Sequence, residues 1–330
     1  MPMRPLALPR DLLPAADMLV RSFQYPEHPG WGVQSDEQQQ IVESMKRMRR
    51  IWPLVRVLQR ISPSLRDMVR GFVWEEDGVI VGMTIANREG LTQDWYIGTV
   101  AVLPEFRRRG LARKLVVAAL DMMRAQGGAR VTLGVIDGNV PAQTLYRSLG
   151  FVEYGGSTRY SLTPSGTVEA PDLPASYTAS KLAEFDWRTR YELDRRIVPE
   201  ELQRFEPVVP AAYRTPAIVR LLAPLFRRAQ GSRTEEVVIR RAVDGISVAR
   251  AAWTVSTTGK GVNTMRIRMD PAHADLSPYL VRRSLNKILG RSPQLRVVAF
   301  VQKWMPAVAH EAEALGFVPI TSGKAMGMDL

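Results

Sequence analysis

The sequence contains no cysteine and only three histidines among its 330 residues. Without cysteine the chain cannot form disulfides, use a thiolate nucleophile or hold a metal through sulfur. The histidines, His28, His273 and His310, are far apart and show none of the spacings that are typical of metal ligands. We therefore expect no metal, and function classes that need cysteine chemistry are excluded.

Long apolar runs are also missing. No stretch reaches the roughly 18 apolar residues that indicate a membrane-spanning helix. The first residues, Met1–Pro5, lack the apolar core of a secretory signal. We expect no membrane association and a cytoplasmic location, which the lack of cysteine fits.

Lysine is scarce, and arginine provides most of a net charge of +12. A basic balance can indicate nucleic acid, an anionic membrane or a phosphorylated ligand as partner. Here the arginines are scattered over the whole chain instead of forming one stripe. This distribution indicates that the high arginine content reflects the composition of the source genome. We therefore do not expect a nucleic-acid partner.

The length predicts two domains, and the hydrophobic and charged fractions, 45% and 24%, are ordinary for a globular protein. Strand and helix patterns alternate, with a hairpin at Asp77-Gly78, which predicts the α/β (α+β) class. Early in the chain we predict a helix over 36–51 that Pro53 interrupts, with a further helical piece to about Gln59.

One stretch, Val100 to Phe151, combines several signals. It begins with an apolar strand that ends at Pro104, continues through a basic glycine turn and enters a helical pattern at Leu111. A helix start presents unpaired backbone N–H groups and the positive end of the helix dipole, so this turn suits an anion such as a diphosphate. The stretch closes with a short helix between Asn139 and a Gly-Phe pair.

This order of elements resembles the cofactor-binding core of the GNAT superfamily of acyl-CoA N-acyltransferases. Arg107, Gly110 and Ala112 occupy the defined positions of its turn motif. The resemblance implies acetyl-CoA as co-substrate and direct attack by a primary amine of unknown identity, with Tyr146 as the general acid that protonates the leaving thiolate. The cofactor-binding residues that it implies are Val100, Ala101, Val102, Arg107, Arg108, Arg109, Gly110, Leu111, Ala112, Arg113 and Asn139.

Two of these residues also have ordinary structural explanations. Asn139 is well placed to cap a helix, and Tyr146 could be a packing residue. For the general base, Asp94 and Glu105 flank the strand, but a surface position explains both, so we assign no base. On the acceptor side, the aromatic residues Tyr25, Trp31 and Trp52 could line a pocket or belong to the core.

The second half of the chain repeats the first faintly. Asp77-Gly78 recurs as Asp244-Gly245 and Pro104 as Pro271, both at an offset of 167, and Gly150-Phe151 recurs as Gly316-Phe317 at 166. We therefore predict two tandem domains of one fold, each a mixed sheet flanked by helices. Their predicted extents are 1–162 for the acetyl-CoA-binding domain, 163–177 for a linker and 178–330 for the second domain.

The second copy lacks the residues on which the chemistry depends. At the common offsets Gly110 becomes Ser277, Asn139 becomes Met305 and Tyr146 becomes Ala312. We call this copy degenerate. Two other functions stay open, a non-catalytic acyl-CoA sensor and a basic ribosome- or RNA-associated protein, and the acceptor could be a small molecule or a peptide. We expect a monomer or a homodimer.

Overall fold

The computed structural model describes residues 2–23, 31–32, 35–61 and 69–330. The chain divides into two compact units. Unit 1 consists of Met1–Tyr154, Thr215–Gln230 and Lys324–Leu330, and unit 2 consists of Gly155–Arg214 and Gly231–Gly323. Each unit combines a mixed sheet with helices, and the predicted mixed α/β class is confirmed.

Unit 1 is built on a sheet in which β1 to β5 lie in chain order. The C-terminal end of β12 (Val318–Asp329) follows β5. The strands are β1 (Met3–Pro5), β2 (Arg70–Glu76), β3 (Val79–Arg88), β4 (Asp94–Val102), β5 (Arg130–Ile136) and the start of β6 (Val152–Leu162). The helices are α1 (Leu12–Ser22), α2 (Ser35–Ile61), α3 (Leu111–Ala125), α4 (Val140–Ser148) and α8 (Ala217–Gln230).

The predicted hairpin joins β2 to β3. Asp77 and Gly78 have φ values of 50° and 78°. A two-residue hairpin turn with positive φ at both positions matches the twist of the flanking strands, and Asp-Gly is a preferred pair for it. This turn sets the pairing register between β2 and β3, with Glu76 opposite Val79.

The helix α3 packs one apolar face on the sheet. Leu115, Val116, Ala119 and Met123 are fully buried, and they recur at helical spacing. Trp95 of β4 lies in the same core. Because β4 and α3 are fixed by this packing, the turn that joins them has a defined position.

The predicted break at Pro53 is not present, since α2 continues through this residue from Ser35 to Ile61. Proline removes one intrahelical hydrogen bond and usually bends a helix, but packing can keep the helix going. Trp52 and Val55, which flank the proline, pack against Leu12 of α1 in a small buried cluster. Tertiary packing here overrides the local preference.

Unit 2 repeats this plan. Its sheet runs β6–β11–β10–β9–β8–β7, with β6 contributing Gly155–Leu162. The strands are β7 (Tyr177–Lys181), β8 (Ser232–Arg241), β9 (Ser247–Ser256), β10 (Asn263–Met269) and β11 (Val297–Gln302). The helices are α5 (Trp187–Ile197), α6 (Glu200–Gln203), α7 (Pro210–Tyr213), α9 (Ser277–Leu289) and α10 (Pro306–Ala314).

Each compact unit is assembled from several separate segments of the chain, whereas each predicted domain is one continuous range. The last seven residues, Lys324–Leu330, belong to unit 1, where Met326 and Met328 enter its core and the Leu330 N–H donates to the Ala129 carbonyl. The segment Gly155–Leu162 belongs to unit 2, where it pairs with β11. The predicted linker touches unit 2 as well, since the Asn286 side chain holds the backbone of Val168 at 2.7 and 3.0 Å. The extents 1–162 and 178–330 stay a prediction about the sequence repeat.

Candidate active site

The strands β4 and β5 separate part of the way along their length. They pair in parallel from Asp94↔Arg130 to Ile97↔Leu133, and β4 continues to Val102. On its other side, β4 stays paired with β3 up to Gly82↔Val102, with a register shift at Gly98. The β5-facing edge of Val100–Val102 therefore borders an opening in the sheet, and bulges such as the one at Gly98 are often found beside active sites.

The basic glycine turn follows directly. A 3₁₀ turn, Pro104–Phe106, leads into Arg107–Gly110, where Arg108 and Gly110 have φ values of 64° and 77°. No atom lies within 4 Å of the place where a Cβ would stand on Gly110. The glycine is therefore required by its backbone conformation, and the space beside it is open.

The N-terminus of α3 is available to a ligand. No side chain caps it, and its first turn contains no acidic residue. The N–H groups of the first turn have no carbonyl partner within the helix, and the helix dipole adds positive potential there. This end can bind an anion through its backbone.

The three arginines of the turn make different contacts, and only two of them line the cavity described below. Arg107 donates through Nε to the Val102 carbonyl at 3.2 Å and through Nη2 to the Ser22 carbonyl at 2.7 Å, so it ties the turn to β4 and to the end of α1. Arg109 lies over the Phe106 ring at 4.8 Å and is absent from the lining of the cavity described below. Arg108 is exposed and lines that cavity.

The helix α4 forms the opposite wall. Asn139 Oδ1 accepts from the Ala142 N–H at 3.2 Å, which makes Asn139 its N-cap. Tyr146 is buried, at 6% exposure, and packs edge-on against Phe151 with ring centroids 5.8 Å apart. Arg113 of α3 donates to Ser148 Oγ at 2.8 Å and so joins the two helices.

These elements enclose a cavity of about 610 Å³. Every residue that the sequence predicted for the site lines it, with the exception of Arg109. The structure adds residues that the sequence did not single out, namely Ser22, Phe23, Phe106, Gly138, Pro141, Ala142 and Leu145. Most of them are apolar. Five are sequence neighbours of the motif, whereas Ser22 and Phe23 come from the end of α1 and no sequence signal indicated them.

The other sequence candidates are placed as follows. Trp31 lines the cavity, whereas Trp52 belongs to the core beside Leu12, and Tyr25 lies outside the described residues. Asp94 is buried and forms an ion pair with Arg130 at 2.9 Å, away from the cavity lining. Glu105 is exposed and pairs with Arg21 at 3.0 Å. Neither carboxylate is positioned as a general base.

Among the described residues, no group of histidines and carboxylates is arranged to hold a metal ion. Within the same part of the chain, no helix is long and apolar enough to cross a membrane.

The comparisons with known proteins point to one family. The sequence profile of the acetyltransferase (GNAT) family matches residues 39–151. The chain is 31% identical over 103 residues to the [ribosomal protein bS18]-alanine N-acetyltransferase of Haemophilus ducreyi, which covers 31% of this chain and 69% of that protein. It is 33% identical over 94 residues to N-alpha-acetyltransferase 30 of Schizosaccharomyces pombe, which covers 28% of this chain and 63% of that protein.

A solved structure resembles the whole chain. It is a tandem GNAT protein from the clavulanic acid biosynthesis pathway, with a TM-score of 0.63 and 17% identity over 99% of this chain and 98% of that one. At this identity the likeness concerns the fold, and it covers both units.

Proposed function

The chain belongs to the GNAT family of acetyltransferases, and on this premise we propose that unit 1 transfers an acetyl group from acetyl-CoA to a primary amine. The observation that carries the proposal is the cavity in which the opening between β4 and β5, the uncapped start of α3 and Tyr146 meet. An anion site, an open strand edge and a proton donor are the parts that this reaction needs.

The residues present fit coenzyme A. The left-handed turn at Gly110 and the free N–H groups of α3 suit the diphosphate, because a backbone cradle without bulk lets an oxyanion approach. Arg108 adds a cation at the lining. The edge of Val100–Val102 provides backbone groups for the amide-containing arm of the cofactor. Acetyl-CoA supplies an activated thioester carbonyl when bound.

The chemistry needs one bond formed and one broken. The amine nitrogen attacks the thioester carbonyl carbon, the C–S bond breaks, and the sulfur receives a proton while the amine loses one to solvent. We propose that the Tyr146 hydroxyl donates the proton to sulfur and then regains a proton from solvent. Burial, the edge contact with Phe151 and the Asn139-capped helix hold its ring in one orientation. A positioned acid of this kind typically contributes about 10²–10⁴-fold in rate.

The acceptor side is proposed to be the part of the cavity lined by Ser22, Phe23 and Trp31, which lies outside the turn motif. Aromatic side chains there favour an amine that carries some apolar surface. The Haemophilus relative is named for a ribosomal-protein alanine and the yeast relative for N-alpha acetylation. We therefore include peptide N-termini in the first panel of acceptors, together with polyamines, aminoglycosides and amino acids.

The test is a coenzyme A release assay with this panel and a Tyr146→Phe variant. We expect kcat to fall by about 10²–10⁴-fold because the acid is lost, while binding of acetyl-CoA stays close to that of the native protein. The matched control is Tyr160→Phe in unit 2, whose hydroxyl donates to Glu313 at 2.9 Å, and it should keep full turnover.

An unchanged kcat in Tyr146→Phe would contradict the role of the hydroxyl. A rise in melting temperature with acetyl-CoA but no turnover on any amine would favour the acyl-CoA sensor instead. If millimolar acetyl-CoA gives no thermal shift, the proposed function is wrong.

A further inference from the structure

Unit 2 contains a second, smaller cavity, of about 210 Å³. It lies between α9 and the outer strands β7, β8 and β9. The small side chains of Ala179, Val237 and Ala251 leave this space under the helix.

The lining carries three cations and no carboxylate. Lys181 comes from β7, and Arg283 and Lys287 come from α9. Arg283 and Lys287 are four residues apart, so they share one helix face, where like charges at this spacing destabilise a helix. Within the described part of the chain, neither has an ion-pair partner.

Neighbouring charges in the same unit are paired. Arg282, next to Arg283 in sequence, pairs with Glu311 at 2.7 Å. Glu235 is held by Arg233 at 3.1 Å and Arg291 at 2.9 Å. Arg283 and Lys287 thus remain as a local excess of positive charge, whereas Lys181 also interacts electrostatically with Glu235.

A buried donor adds to this excess. Trp253 lines the cavity and is 4% exposed, and its Nε1–H has no acceptor among the described residues. A buried donor without a partner is costly, so such groups are usually satisfied by water or a ligand. An anion that accepts from this N–H and from the three cations would satisfy the buried donor and would also neutralise the excess positive charge.

We propose that this cavity binds a small phosphate-bearing ligand. Arginine and lysine are the usual partners of phosphate oxygens, which accept several charge-assisted hydrogen bonds at once. With a volume of about 210 Å³, the cavity is large enough for a small ligand and too small for a folded partner. The site is independent of acetyl transfer in unit 1.

The test uses the full chain with Gly110→Asp, which removes the anion site of unit 1, and titrates pyrophosphate and inorganic phosphate by calorimetry at constant ionic strength. We expect saturable binding at one site per chain. Arg283→Gln or Lys287→Gln, both at exposed positions, should weaken it about tenfold, the effect of losing one charge-assisted bond. Lys260→Gln, an exposed lysine of unit 2 outside the lining, is the matched control and should bind as before.

A second readout reports on the site itself. The indole N–H resonance of Trp253, assigned with Trp253→Phe, should shift on titration with pyrophosphate. The proposal is overturned if no saturable binding occurs, if Lys260→Gln weakens binding as much as Arg283→Gln, or if the indole resonance does not move. Binding of a single-stranded oligonucleotide that depends on Arg283 and Lys287, without binding of pyrophosphate, would also overturn it.

Discussion

The two units share a scaffold and differ at the places where a ligand would bind. In unit 2, β10 and β11 pair from Asn263↔Val297 to Arg266↔Phe300, and β10 then continues to Met269 paired with β9 only, so the sheet opens on its β11 side as it does in unit 1. The β9–β10 register is continuous, whereas β4 has its bulge at Gly98. The opening is therefore a property of the fold, and the bulge is an addition in unit 1.

The turns differ more strongly. In unit 2 a 3₁₀ helix, Pro271–Leu276, runs directly into α9, and Leu276 at its N-cap has right-handed helical angles. No left-handed glycine turn precedes the helix, and Pro278 removes one backbone donor from its first turn. At the other wall, Met305 makes no side-chain cap, while Ala312 fills the position of Tyr146 and is fully buried. The difference indicates that packing alone does not demand Gly110, Asn139 or Tyr146.

The sheets also differ in their buried charge. At the offset of 167, Met83 of β3 corresponds to Arg250 of β9. Met83 is fully buried in an apolar core, whereas Arg250 pairs with Asp194 at 3.1 Å and with Glu236 at 2.9 Å. The same scaffold position thus accepts a methionine in one unit and an ion-pair network in the other.

The largest expected effect comes from breaking this network with Arg250→Met, which copies the residue of unit 1. Asp194 and Glu236 would remain buried without this partner, and removing one partner of a buried ion pair typically costs about 3–5 kcal/mol. Hydrogen exchange should show the opening free energy of β9 amides falling by this amount, while β3 amides keep theirs.

The control for this variant is Arg266→Met on the neighbouring strand. Arg266 is an exposed residue that lies over the Phe300 ring at 5.2 Å, and partial desolvation and the nearby cations Arg268 and Arg250 lower its pKa. Its removal should therefore cost little. An equal loss of protection in both variants would mean that the arginine stems, and not the ion pairs, stabilise unit 2.

The second prediction concerns the turn that only unit 1 contains. Gly110→Asp places a carboxylate and a side chain at φ 77°, where an anion should bind. The stabilisation by acetyl-CoA, about 2.7 kcal/mol at a concentration of 100 Kd, should disappear. The measurement is the melting temperature with and without acetyl-CoA.

Gly127→Asp is a matched control at the other end of the same helix. Gly127 has φ 68°, and no atom lies within 4 Å of its Cβ position, so the backbone strain is similar. Gly127→Asp should melt lower than the native protein and keep the full shift with acetyl-CoA. If both variants lose the shift, strain in α3 explains the loss and the anion site does not.

Much of this comparison was accessible from sequence. The strand to Pro104, the glycine turn, the Asp-Gly hairpins and the Gly-Phe ends are local patterns with local causes, and the predicted membership of the GNAT family and the tandem fold are confirmed. Tyr146 and the cofactor-binding residues remain predictions, although the structure brings all of them except Arg109 to one cavity.

The parts that could not be predicted depend on contacts between distant segments. The two sheets have the same strand pattern, so the sequence cannot reveal that Lys324–Leu330 completes the sheet of unit 1. Arg107 reaches a carbonyl 85 residues away at Ser22, and no spacing rule indicates such a bond. The continuation of α2 through Pro53 likewise depends on packing against α1.

The third prediction compares one helix N-cap from each unit, Asn139 of α4 and Asp186 of α5. Asn139→Ala removes the cap of α4 and should destabilise the protein by about 1 kcal/mol. Asp186→Ala removes the cap of α5 in unit 2, where Asp186 accepts from the Thr189 N–H at 3.1 Å, and should cost a similar amount. Only Asn139→Ala should also weaken acetyl-CoA binding in calorimetry, because Asn139 itself lines the cavity and Asp186 does not. If neither variant changes the affinity for acetyl-CoA, Asn139 acts only as a helix cap.

The smallest expected effect concerns pH and the aspartates that precede α1 and α5, one in each unit. Burial alone would raise the pKa of Asp11, but hydrogen bonds from Arg4, from the Ala7 N–H and from Arg10 outweigh it and lower the pKa below 3.8. For Asp186, the Thr189 backbone and hydroxyl outweigh burial in the same way. A lowered folded-state pKa means that each carboxylate stabilises the protein fully above about pH 4 and loses this contribution as the pH falls through the folded value.

The melting-temperature difference between the native protein and Asp11→Asn should therefore be largest near neutral pH and shrink on acidification below about pH 4, and the same holds for Asp186→Asn. Salt separates the two cases. Arg4 holds Asp11 as a charge pair at 2.6 Å, whereas Thr189 holds Asp186 mainly through neutral donors. Added salt of about 1 M should reduce the effect of Asp11→Asn more than that of Asp186→Asn, because screening acts on charge pairs. If salt reduces both effects equally, then arginine charge, and not the Thr189 hydrogen bonds, also holds Asp186 ionised.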